Sequence, residues 1–78
     1  MTILSARSLA ILLEGWRNDP SRPAYQALAD RIRLLVIDGR VPLGTRIPAE
    51  RELATHLGVS RTTVTAAYAE LREQGYLD

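Results

Sequence analysis

The sequence predicts a mainly α-helical domain built around a helix-turn-helix, with one further helix ahead of the three-helix core. Three observations carry that prediction. Apolar residues recur at three- and four-residue steps in four stretches, the pattern of amphipathic helices. Glycines and prolines crowd the intervals between those stretches. The run from Glu50 to Ala67, ERELATHLGVSRTTVTAA, sets two short helices around a glycine-containing turn at helix-turn-helix spacing.

The first helix is expected from Ser5 to Trp16. Ser5 is a suitable N-cap, and Leu9, Leu12, Leu13 and Trp16 fall on one face. That face has two readings, a dimer surface or packing on its own domain, and packing is the simpler. Gly15 and the segment from Asn18 to Pro23 then break the helix, and Pro20 with Pro23 stiffens the connection. The chain therefore divides into residues 1–22, a helix and linker, and residues 23–78, the core domain.

The second helix starts near Pro23, a favoured first-turn residue. Tyr25, Leu28, Ile32, Leu35 and Val36 form its inner stripe. Asp30, Arg31, Arg33 and Asp38 fall largely off it, and Gly39 is its stop. Pro42, Gly44 and Pro48 exclude helix from the next segment, where Thr45 to Ile47 reads as one short strand.

The third helix is expected over 49–57, with Leu53, Ala54 and Leu57 on one face and Gly58 as stop. Ser60 caps a fourth helix that runs to Gln74. Val64, Ala67, Tyr68 and Leu71 line its inner face, and Gly75 ends it. Tyr76, Leu77 and Asp78 read as the opening of a strand.

Composition narrows the function. A chain of 78 residues is one small domain. At this size a fold hides only ~60% of the surface its unfolded chain exposes, so the core is thin. Phe is absent and aromatics make up 5%, so that core is aliphatic. All ten basic residues are Arg. Without Lys the chain has no P-loop lysine and no Schiff-base amine. Without Cys it has no disulfide, zinc ribbon or thiol nucleophile. A single histidine, His56, makes a His-based metal site within the chain untenable. No signal-peptide pattern and no membrane-length apolar run occur, so a soluble cytoplasmic protein is the expectation. The net charge of +1 does not announce a nucleic-acid partner. The placement of the arginines has to decide.

That placement points to DNA. Small Ala54 suits the crossing of the two helices, Gly58 suits a left-handed turn, and Leu53, Leu57, Val59, Val64 and Ala67 supply the seam. With that seam inward, Thr62, Ala66 and Ala69 point roughly outward, Arg61 and Thr65 lie on the flank, and Ser60 sits at the tip of the fourth helix, whose exposed first turns also carry Thr63. Arg takes guanine O6 and N7 bidentately, and Ser and Thr reach phosphates or base edges. Three threonines are costly in a purely structural helix turn. Arg51 opens the third helix, where a cation is mildly unfavourable unless a phosphate or base edge meets it. Its bland explanation is a salt bridge to neighbouring Glu50 or Glu52.

These residues resemble the GntR family of bacterial winged helix-turn-helix transcription regulators. The resemblance runs from Pro23 to Leu77, about 55 of the 78 residues. It is carried by PAYQALADRIRLLVIDGRVPLGTRIPAERELA and LGVSRTTVTAAYAELREQGYL. It implies a three-helix core with a two-stranded wing, and a last long helix that enters the major groove of operator DNA. It implies DNA contacts at Arg51, Ser60, Arg61, Thr62, Thr63 and Thr65. The Leu-rich helix ahead of the core, with Ala67-Tyr68 and Gly75-Tyr76-Leu77, is similar to the MocR-type branch. In that branch an aminotransferase-like domain binding pyridoxal 5′-phosphate follows the wing.

Three departures stand out. Ala49 occupies a cap position where many members carry Ser, and Thr65 one where many outside the MocR-type branch carry Arg. The Arg- and Gly-rich wing hairpin is not among the residues through Asp78, so a wing-truncated fragment of a longer, homodimeric regulator is expected. No cofactor, metal or catalytic residue is expected within it. The alternative is a winged-helix-like module that binds protein. An enzyme finds no support, because His56 and Ser60 have no orienting acid and a helix end lies between them.

Overall fold

The computed structural model describes residues 3–17 and 20–77. Four helices follow in order: α1 over Ala6–Leu12, α2 over Ala24–Ile37, α3 over Glu50–Leu57 and α4 over Arg61–Glu73. The Ser5 side chain caps α1, its Oγ accepting from the Ser8 N–H at 3.1 Å. Regular α1 is shorter than its apolar pattern. Leu13 closes it, and the backbone turns through Gly15 at a φ of 83°. The turn is held from outside, because the Arg31 guanidinium donates to the Glu14 carbonyl oxygen at 2.8 Å.

The ends of α2, α3 and α4 share one construction. After α3, the Gly58 N–H bonds the Thr55 carbonyl and the Val59 N–H bonds that of Ala54. This paired closure needs a left-handed residue, and Gly58 supplies it at φ 70°, ψ 32° without the Cβ penalty. The same two-bond pattern ends α2 around Gly39 and α4 around Gly75.

Leu9 and Leu13 join Leu28, Ile32, Leu53, Val64, Tyr68 and Leu71 in one buried cluster. α2 packs on α4, α4 on α3, and α1 on α3. The first helix thus shares the core of the helix-turn-helix, with Leu12 and Trp16 half-buried against it. Val41 brings the connecting segment into the same cluster.

Two extended segments differ from expectation. Around Arg46 the pairing is a single parallel bridge to Ile3, with the Leu4 N–H donating to the Arg46 carbonyl at 3.0 Å. No other strand pairing occurs among the described residues. Tyr76 and Leu77 do not open a strand: their N–H groups both turn back to the Leu71 carbonyl and their side chains pack on the core. The α4 closure claims these donors before an extended partner can. Asp78 lies outside the described residues.

Candidate nucleic-acid interface

α4 begins where a hydroxyl can replace the missing turn of helix. Ser60 has extended backbone, and its Oγ accepts from the Thr63 N–H at 3.3 Å. The Ser60 and Thr63 hydroxyls also bond one another at 3.0 Å. Both side chains are therefore engaged in starting the helix, and Thr63 is half-buried. Arg61 and Thr62 point outward and are exposed, as is Thr65 one turn on. Ala69 is exposed and Ala66 half-buried beside them.

α3 brings Arg51 to the same place. Ala49, Glu50, Arg51, Glu52 and Arg61 line one open hollow of ≈ 460 Å³ at the facing N-terminal ends of α3 and α4. Arg51 and Arg61 make no ion pair among the described residues, although two carboxylates share the hollow. The described ion pairs lie elsewhere, where Asp30 holds Arg22 and Arg33. Two guanidiniums thus face solvent together beside the first turn of α4, whose Thr63 N–H is capped by Ser60 and whose preceding N–H groups have no partner within the helix, an arrangement suited to phosphate oxygens and base edges.

The geometry is fixed from behind. Tyr68 is buried on α4, and its hydroxyl donates to the Pro48 carbonyl at 2.9 Å, just ahead of α3. Burial above all, with the nearby Glu50 carboxylate, pushes the Tyr68 hydroxyl well above its ordinary pKa of 10, while Arg72 opposes them. It stays a neutral donor.

Periodicity missed one participant. Glu50, read from sequence only as a salt-bridge neighbour for Arg51, accepts a hydrogen bond from the Thr65 hydroxyl across the helix crossing. Fifteen residues separate the two, so no local pattern announces the pair. Ala49 caps α3 with no side-chain bond, as its methyl group requires. His56 is exposed, and its ring Nδ1 donates to the Glu52 carbonyl at 3.0 Å. No cluster of metal-ligating side chains occurs among the described residues, and no described helix is long and apolar enough to cross a membrane.

The family model of bacterial regulatory proteins, gntR family, matches residues 24–78. The chain belongs to the GntR family. As a GntR helix-turn-helix it is the DNA-binding module of a transcription regulator, and its family is one of regulators and not of enzymes. It is 46% identical over 57 residues to the HTH-type transcriptional regulator Rv0792c of Mycobacterium tuberculosis, covering 73% of this chain and 21% of that protein. It is 42% identical to the mannosyl-D-glycerate transport/metabolism system repressor MngR of Escherichia coli, covering 73% of this chain and 24% of that one. It is 37% identical to the probable rhizopine catabolism regulatory protein MocR of Rhizobium meliloti, covering 77% of this chain and 12% of that one. The GntR chain thus spans a quarter or less of the length of these curated relatives. No solved structure matches it. The matched segment starts at α2, so α1 lies ahead of the family model while sharing its core.

Proposed function

We propose that this GntR module reads operator DNA by laying α4 in the major groove, with Arg61 and Thr62 toward base edges and Arg51 on a flanking phosphate. The observation that carries the reading is the pair of unpaired guanidiniums, Arg51 and Arg61, on one open hollow where α3 and α4 begin. Ser60 and Thr63 contribute the helix start and its N–H groups more than free hydroxyls, since those hydroxyls hold each other. A protein-binding module would not need two uncompensated cations gathered at a helix N-terminus.

A module this small rarely reaches operator-grade affinity alone, so the working regulator is a homodimer on a two-part site. Its place in the cytoplasm follows from that task. We place the chain in the MocR-type branch, supported by its likeness to MocR over 60 residues. Pyridoxal 5′-phosphate would then belong to a further domain, because these 78 residues hold no Lys to form a Schiff base with it.

The test is titration of the domain with a random-sequence duplex pool, and with sequences selected from it, at several salt concentrations. Log affinity is expected to fall linearly with log salt, with a slope of about −0.9 per phosphate neutralised. A flat response overturns the phosphate-contact model and favours the protein-binding alternative.

A further inference from the structure

The Thr65 hydroxyl has one proton to donate, and the Glu50 carboxylate takes it. This is not the usual use of a helical threonine hydroxyl, which bonds the carbonyl four residues back. Thr55 on α3 does that, its hydroxyl donating to the Arg51 carbonyl at 3.0 Å. Thr65 forgoes the equivalent bond to Arg61 and reaches across to α3. Its side chain is exposed, and it stands four residues after Arg61, on the same strip of the α4 surface.

The consequence is chemical. With its donor engaged, Thr65 can offer a base only a methyl group and oxygen lone pairs. Guanine presents only acceptors in the major groove, N7 and O6, while thymine sets a methyl group beside its single O4 acceptor. Acceptor lone pairs meeting the guanine edge repel it, and a methyl meeting the thymine methyl is favourable.

Building on the DNA-reading assignment above, we propose that Glu50 is a specificity-determining positioning residue. By holding the Thr65 hydroxyl it makes Thr65 select thymine and reject guanine at one base position of each half-site. Glu50 itself touches no base. Half-buried Glu50 lines the same hollow as Arg51 and Arg61 and acts through Thr65.

The experiment is selection from a random-sequence duplex pool by the wild-type domain and by E50A, E50Q, T65V, T65S and the E50A/T65V pair, with thermal melting to confirm that each folds. The wild type is expected to enrich a motif with guanine depleted roughly tenfold at one position. E50A frees the hydroxyl to donate, so guanine recovers there and nowhere else. E50Q keeps a carbonyl acceptor and keeps the depletion. T65S keeps the depletion and loses the thymine preference. T65V keeps the thymine preference, and in that background E50A changes nothing further at the position.

Two results overturn the proposal: E50A weakening binding evenly without altering any base preference, or E50A shifting that preference equally with and without the Thr65 hydroxyl. A folded wild-type domain that enriches no sequence is a different result. It removes the DNA-reading assignment, and this proposal with it.

Discussion

The Tyr68 hydroxyl donates to the Pro48 carbonyl oxygen at 2.9 Å, tying the middle of α4 to the backbone just ahead of α3. This bond spans the helix crossing from the buried side, as Glu50 and Thr65 span it from the exposed side. Between them they set how the two helix starts, and hence Arg51 and Arg61, are presented together.

Removing the Tyr68 hydroxyl tests that role. Tyr68→Phe keeps the ring and leaves the Pro48 carbonyl without its donor, at a cost of about 1–3 kcal/mol. A domain of this size loses ~4–8 °C of melting temperature per kcal/mol. Calorimetry should show that loss; an unchanged melting temperature would mean that water replaces the bond freely.

The same hydroxyl makes stability depend on alkaline pH. In the unfolded chain Tyr68 ionises near 10, whereas burial and Glu50 hold it neutral in the fold well beyond that. The folded pKa is the higher one, so this stabilisation is complete below pH 10 and declines as pH rises above it. With no Lys in the chain, lysine titration does not obscure the effect. Denaturant melts between pH 9 and the alkaline limit should steepen above about pH 10 in the wild type, and less so in Tyr68→Phe.

The two arginines should separate by role. Arg61→Ala is expected to cost about 1–3 kcal/mol of binding to a selected site and to relax base preference at one position. Arg51→Ala should weaken binding evenly across sequences and lower the salt slope by about one. Both are exposed and unpaired, so neither should shift melting appreciably. Identical behaviour of the two variants in selection and salt titration would refute this division.

Ala49 leaves a cap position unused. Its backbone, φ −58° and ψ 146°, is close to that of the working cap Ser60, but its methyl group accepts nothing. Ala49→Ser should stabilise the domain by ~1 kcal/mol through a bond to the first turn of α3. Urea denaturation reads the gain directly, and no gain would mean the local N–H groups are already satisfied by water.

The helix ahead of the family match should matter to folding. Leu9 is fully buried whereas Ile11 is 63% exposed. Leu9→Ala should cost ~2–5 kcal/mol, and Ile11→Ala within about 0.5 kcal/mol. Equal effects in denaturant melts would show that α1 contributes little to the core.

What the sequence alone determined here is local. The caps at Ser5 and Ser60, the stops at Gly39, Gly58 and Gly75, and the inner stripe of Val64, Ala67, Tyr68 and Leu71 are each set by residues within a turn or two of one another. Hydrogen-bond closure and helical period act over that range, so they are legible as spacing. Where two local demands competed, legibility failed. The apolar pattern carried α1 on to Trp16, but the backbone turned at Gly15, and the closure of α4 took Tyr76 and Leu77 from the strand they resembled.

Only the tertiary structure decided which side chains meet. It left Arg51 unpaired beside two glutamates, engaged Thr65 with Glu50, and set Tyr68 on the Pro48 carbonyl, a partner twenty residues away. It also paired Ile3 with Arg46 and folded α1 into the common core. These partners are brought together by the burial of a shared apolar seam, which is non-directional. It specifies which faces turn inward, and the polar groups then bond whatever the packing sets within reach.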